Sequence, residues 1–166
     1  PLDHYSIESA IKWINNQAGD IHCWLNIIGG FSMGNHVGEV RDEWSYMYNT
    51  NFMTALNCCQ QILPKMKQGG WGRIVNMGAQ AAVNGMPLSG PYCTSKAAVH
   101  MLTKIIALEN GNGVTCNALL PGIIDTPSNR NQMPKADHGN WVGINKIAER
   151  IEVLFLSDEN GVLIDI

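Results

Sequence analysis

Short, nearly continuous apolar runs alternate with long segments of helical periodicity, and this alternation constrains the fold more than any other feature of the chain. The runs are Ile21 to Ile28 (IHCWLNII), Arg73 to Met77 (RIVNM), Val114 to Leu120 (VTCNALL) and Val162 to Ile166, each entered through a glycine-containing turn. A strand with water on one face alternates apolar and polar residues; a run without alternation suits a strand covered on both faces, as in a parallel sheet. Ser6 is placed to cap a helix that carries Ile7, Ala10, Ile11 and Ile14 and ends near Gly19. Val40 to Lys67 repeats Trp44, Met47, Phe52, Leu56 and Ile62 at helical spacing, with Pro64 expected to kink or end it. Leu88 to Asn110 is a second long helix, stopped by Gly111-Asn112-Gly113, and Ile144 to Leu156 is the last. The expected fold class is α/β: a Rossmann-like doubly wound parallel sheet of about four strands with right-handed helical crossovers.

A chain of 166 residues with only 15% charged residues suits one domain, residues 1–166, much of it buried. The net charge of −3, without a basic block, predicts neither a nucleic-acid partner nor an anionic membrane surface. No apolar run approaches the ~20 residues of a membrane span, and no charged-then-apolar leader is present, so a cytoplasmic location is expected. The five cysteines (Cys23, Cys58, Cys59, Cys93, Cys116) are odd in number and lie in apolar or periodic segments. They read as buried thiols of a reducing compartment, and without CxxC or Cys/His zinc spacing no metal is expected.

The strongest chemical signal is Tyr92-Cys93-Thr94-Ser95-Lys96 at the start of the second long helix. Four residues apart, Tyr92 and Lys96 share a helix face one turn from each other. An ammonium there would lower a phenol pKa that is ordinarily near 10, so that Tyr92 exchanges a proton near neutral pH while a hydride moves. The spacing alone also arises by chance in exposed helix pairs.

The surroundings resemble the short-chain dehydrogenase/reductase family over essentially the whole chain. Asn26-Ile27-Ile28-Gly29 stands where that family has Asn-Asn-Ala-Gly; Trp44 through Asn51-Phe52 resembles the helix with its catalytic Asn; Arg73-Ile-Val-Asn, the Tyr92/Lys96 pair, Asn117-Ala-Leu-Leu-Pro121-Gly122, Ile124 and Thr126 follow in family order. The resemblance implies an NAD or NADP cofactor and a small-molecule substrate. Tyr92 would be the proton donor. Lys96 would lower its pKa and bind the nicotinamide ribose, and Asn51 would hold a water linking Lys96 to solvent. Asn26 and Gly29 would approach the adenosine side. Pro121, Gly122, Ile124 and Thr126 would receive the nicotinamide amide and pyrophosphate side. Glycine after a strand's carboxyl end lets backbone approach a ligand. Asn26 and Asn51 also read as buried amides that satisfy backbone groups, Pro121-Gly122 as a plain turn, and His100 and His138 as residues without catalytic duty.

Gly78-Ala79-Gln80-Ala81-Ala82, Asp125-Thr126-Pro127-Ser128-Asn129-Arg130, Met133-Pro134, Ala136-Asp137 and Trp141 narrow the resemblance to the dihydropteridine reductase-like branch. Most of the family has a catalytic Ser at the position of Ala79, and that branch does not. Ala79 implies either a changed substrate class, such as a conjugated ring whose charge spreads over several atoms, or lost activity; the matching flanks favour the first. Gln80, Arg130 and Trp141 are the candidate substrate contacts, and residues 127–142 a substrate-lid loop within the domain. The alternatives are an ordinary oxoacyl or sugar carbonyl reductase and a catalytically silent oligomer subunit. Family members pair through their two long helices, here 40–67 and 88–110, into homodimers or homotetramers. A whole member would place roughly 70 residues, with a glycine-rich cofactor turn, before Pro1, so the chain reads as a partial Rossmann-type domain. Its first strand then becomes an apolar sheet edge.

Overall fold

In the computed structural model, which describes residues 3–34, 37–39 and 42–166, four strands form one sheet in the order β1 (Cys23–Asn26), β2 (Gly72–Met77), β3 (Val114–Leu120), β4 (Leu163–Asp165). All pairs are parallel, with Leu25 beside Val75, Val75 beside Asn117 and Ala118 beside Leu163. β2 and β3 are buried at every residue, as their unbroken apolarity predicts. Successive side chains of β2 leave opposite faces. Ile74 joins Ile7, Ile11, Ile62, Leu102 and Ile106 beneath α1 (His4–Ala18), α3 (Thr54–Gly69) and α5 (Gly90–Glu109). Val75 and Met77 join Leu119, Ile147 and Leu154 beneath α7 (Ile144–Leu156). Helices on both faces of a parallel sheet make this the Rossmann-like α/β fold.

Several boundaries differ from expectation. Asp3 caps α1: its carboxylate accepts the Tyr5 N–H at 3.1 Å and the Ser6 hydroxyl at 2.7 Å, so Ser6 supports the cap instead of forming it. β1 is shorter than the apolar run, and it lies at the sheet edge with Cys23 exposed; Ile27 and Ile28 follow it into solvent-exposed backbone. Pro64 does not end the long helix, which runs on to Gly69; its expected start at Val40 lies outside the described residues. That helix comprises α2 (Glu43–Met47), a π-helical segment (Tyr48–Met53) and α3. The loop after β3 holds α6 (Pro127–Gln132) and a 3₁₀ turn (His138–Asn140), and a short α4 (Ala81–Asn84) follows β2. Of the cysteines, Cys58, Cys59 and Cys116 are buried as expected, whereas Cys23 is exposed and Cys93 half-buried. Among the described residues no helix is long and apolar enough to cross a membrane, and no three His, Cys, Asp or Glu side chains are arranged to hold a metal.

The turn into β3 depends on glycine. Gly113 has φ +91°, and a Cβ there would lie 2.1 Å from the Gly70 carbonyl oxygen. Gly69, at the end of α3, has open space where a Cβ would stand. Gly113→Ala is therefore expected to destabilise the protein by more than about 2 kcal/mol, while Gly69→Ala is neutral or stabilising by about 0.5 kcal/mol through reduced unfolded-chain entropy. Urea denaturation midpoints of the two variants check this.

Candidate active site

The carboxyl ends of β1 and β2 meet the first turns of α5 and the π-helical segment, and three of the sequence-selected residues converge there. Lys96 is almost wholly buried and donates from Nζ to the Met77 carbonyl at the end of β2, 2.7 Å away. Asn51 lies in the π-helical segment, a distortion frequent at functional sites. Its Oδ1 accepts the Gly30 N–H at 2.8 Å, and its Nδ2 donates to the Gly30 carbonyl at 3.1 Å and to Ser95 Oγ at 2.9 Å. Ser95 in turn donates to the Tyr92 carbonyl at 2.8 Å. Gly29 packs against this group so closely that a Cβ would fall 2.7 Å from Asn51 Oδ1 and 3.2 Å from Lys96 Nζ. Tyr92, one turn before Lys96, meets the ring of Phe31 edge-on at 4.9 Å.

The electrostatics depart from the simple pairing of Tyr and Lys. Burial pushes the Tyr92 phenol up to about 12, with the neighbouring Cys93 adding to the shift. Burial lowers Lys96 to about 8. The expected lowering of the phenol by the ammonium is absent: burial dominates the phenol, and Lys96 turns its charge to a backbone carbonyl. At neutral pH Tyr92 is thus a phenol and Lys96 an ammonium.

The second group lies where β2 and β3 end. The Gln80 N–H donates to the Pro121 carbonyl at 3.2 Å, and Gln80 Oε1 stands 3.1 Å from where a Gly122 Cβ would be. Ile124 continues from this turn, bridging to Val142 and accepting from Asn129 Nδ2 at 2.7 Å. Thr126 caps α6 through the Asn129 N–H.

Other selected residues are engaged elsewhere. Asn26 sits inside the sheet, donating to Asn76 Oδ1 at 2.7 Å and accepting from Trp24 Nε1 at 2.8 Å. This is the buried-amide arrangement that its sequence also allowed. Arg130 forms a two-pronged pair with Asp125 (2.5 and 2.7 Å) and approaches His138 Nδ1 at 3.3 Å, and the His138 ring lies 4.2 Å from that of Trp141. These contacts organise residues 127–142 internally. Ser95, inside the Tyr-x-x-x-Lys segment, carries no expected role in the sequence, and His100, read there as without catalytic duty, stands one turn beyond Lys96 on the same face.

A family profile described as short chain dehydrogenase matches residues 2–137. The chain belongs to the short-chain dehydrogenase/reductase family. Among curated relatives, dihydropteridine reductase of Dictyostelium discoideum is 32% identical over 149 residues, covering 87% of this chain and 64% of that protein. The 3-oxoacyl-[acyl-carrier-protein] reductase FabG of Haemophilus influenzae is 32% identical over 126 residues, covering 75% of this chain and 52% of that protein. The chain thus spans about half to two thirds of the length of these relatives. Among solved structures, ElxO with NADP bound superposes at a TM-score of 0.91 with 24% identity, covering 99% of this chain and 73% of its own. A gluconate 5-dehydrogenase from Burkholderia cenocepacia, in complex with NADP and tartrate, gives 0.89 with 22% identity, over 99% and 70%. These likenesses show the fold.

The lowered Lys96 pKa predicts a pH signature. The unfolded lysine, near 10.5, binds more protons than the folded one between pH 8 and 10.5, so its contribution makes stability rise with pH across that window. Between pH 7.5 and 9.5 the rise is about 2 kcal/mol. Buried thiols oppose it, Cys59 being pushed up to about 12, so the informative quantity is the difference from Lys96→Met. Urea titrations at the two pH values are expected to show a wild-type gain exceeding that of Lys96→Met by about this amount.

Proposed function

We propose that the protein is an NAD- or NADP-dependent oxidoreductase that reduces a pteridine-like or carbonyl substrate, with Tyr92 as proton donor. The observation that carries this reading is the convergence of Lys96 and Asn51 on Gly29, with Tyr92 one turn before Lys96 on α5, at the carboxyl ends of parallel strands where ligands of open α/β sheets bind. The residues fit the nicotinamide half of such a cofactor. Glycine at 29 lets Asn51 and Lys96 pack directly against the backbone at the end of β1, and glycine at 122 does the same for Gln80. In the proposal Gly29, Tyr92, Lys96, Pro121, Gly122, Ile124 and Thr126 hold the cofactor, which when bound supplies a hydride, and Asn26, expected on the adenosine side, supports the end of β1 from within the sheet.

The remaining chemistry is the chain's own. Burial keeps Tyr92 protonated, the form that donates a proton to an atom gaining a hydride. Lys96 retains N–H groups beyond the one on Met77, and in the proposal these bind the nicotinamide ribose hydroxyls. Asn51, whose amide engages Gly30 and Ser95, holds the loop after β1 against α5, and we keep its role as positioning. Gln80, Arg130 and Trp141 remain the proposed substrate side, with 127–142 as lid.

The pteridine-like class is favoured over an ordinary oxoacyl or sugar carbonyl by Ala79, a buried methyl where a ketone reductase would place a hydroxyl, and by the likeness to the Dictyostelium protein over 87% of this chain. We further infer a homodimer or homotetramer through the two long helices. Met101, Ile105 and Leu108 of α5 are exposed and suit that face, whereas Ala55, Cys59 and Leu102 belong to the protein's own core.

The test uses the natural-length protein: titration of NADH and NADPH by fluorescence, then turnover of a quinonoid dihydropterin and a 3-oxoacyl thioester. One cofactor is expected to bind, and the pterin to be reduced. Tyr92→Phe is expected to lower kcat by roughly 10²- to 10⁴-fold with cofactor affinity little changed. Ala79→Ser is expected to raise ketone turnover and leave pterin turnover unaltered. Binding of neither cofactor would overturn the reading in favour of a silent subunit.

A further inference from the structure

Lys96 and His100 lie one turn apart on the buried face of α5, and both reach the end of β2. Lys96 Nζ donates to the Met77 carbonyl at 2.7 Å; His100 Nε2 accepts the Ala79 N–H at 3.2 Å. The strand end is thereby held from one helix face at two points, through one carbonyl and one N–H. Gly78 lies between them, and a Cβ there would fall 2.4 Å from His100 Nε2. The glycine is therefore required by the imidazole, and a substitution would push it off Ala79. The next residue, Gln80, donates its N–H to Pro121, so the segment that His100 grips also spans to the Pro121-Gly122 turn.

We propose that His100 is a positioning residue for the reaction: with Lys96 it clamps the Gly78-Ala79-Gln80 turn against Pro121-Gly122, and the clamp needs the neutral imidazole with its proton on Nδ1. The role in turnover rests on the functional reading above. A methyl at position 79 offers the substrate no hydroxyl, so alignment of the ring to be reduced depends on where this backbone and the Gln80 side chain stand. An acceptor at Nε2 excludes the imidazolium, which has a proton on both nitrogens. The charged groups facing the ring are Lys96 and Lys104 from α5 and Asp165 from β4. Burial, with the two lysines adding and Asp165 opposing, holds the histidine below its ordinary 6.5 and so keeps the clamp closed at neutral pH. Protonation at lower pH removes the acceptor and frees the turn.

The test compares wild type, His100→Leu and His100→Gln in the natural-length protein. Amide exchange at Ala79, without substrate, reports the clamp directly; kcat and nicotinamide affinity report its consequence. His100→Leu is expected to lower Ala79 protection at least tenfold and kcat at least tenfold, with nicotinamide affinity within threefold of wild type. His100→Gln, whose carbonyl can accept the same N–H, is expected to recover protection and most of kcat, and its rate is expected to lack the acid limb expected of wild type below the ordinary histidine range. Unchanged Ala79 protection in His100→Leu would overturn the proposal. If that variant does not fold, wild type against His100→Gln decides. A protection factor that falls toward pH 5 only in wild type supports the clamp, and the same behaviour in both overturns it. A wild type that reduces neither substrate overturns the functional reading alone, and the exchange comparison still decides the clamp.

Discussion

The ammonium of Lys96, buried in the angle between α5 and the end of β2, has no carboxylate partner among the described residues: it is held by the Met77 carbonyl. Moving a cation out of water costs several kcal/mol unless polar groups compensate, and here compensation comes from backbone whose position depends on the sheet. β2 must be in register between β1 and β3 for Met77 to end where Lys96 can reach it. α5 must in turn be seated by Leu102 and Ile106 on the core shared with α1 and α3. The charge thus ties the helix to the strand, and its burial there lowers the Lys96 pKa to about 8.

Around this point the chain uses local irregularity to bring side chains inward. The π-helical segment aims Asn51 across to Ser95 on α5 and to both backbone groups of Gly30. An extra residue in the turn is costly in isolation, and here its amide takes up polar groups that the loop after β1 would otherwise leave unpaired. Gly29 is required where it stands because Asn51 and Lys96 occupy the volume of a side chain.

Family membership and the site account for different parts of the molecule. The parallel sheet, Tyr92-x-x-x-Lys96 and the Pro121-Gly122 turn follow the short-chain pattern, Ala79 and the Asp125–Arg130 segment carry the narrower resemblance, and the His100–Ala79 contact and the Asp125–Arg130–His138 group form only on folding. At position 79 a buried methyl stands on a residue whose N–H is taken by His100, and in the proposal this imidazole, not a substrate-facing hydroxyl, positions the turn.

Unbroken apolarity in RIVNM and VTCNALL announced strands buried on two faces, and glycine pairs announced the turns, because burial and backbone conformation are written in residue type at short range. IHCWLNII announced more strand than exists, since β1 has a paired neighbour on one side only and Ile27 and Ile28 leave the sheet. Pro64 was legible as a breaker yet sits inside a helix, where packing of Ile62 and Met66 in the core outweighs the lost hydrogen bond. Tyr92, Lys96 and Asn51 were legible as candidates from spacing and resemblance. Their protonation states were not, because desolvation depends on what other segments bring to cover them. Nor did any local signal show that Arg130 would turn to Asp125, or that His100 would meet Ala79. The sequence by itself determined the alternation of strand and helix and the identity of the reactive groups. Only the tertiary structure decided which carbonyl receives the Lys96 charge and which N–H holds the neutral imidazole, because those partners lie many residues away and meet only when the sheet has closed beneath α5.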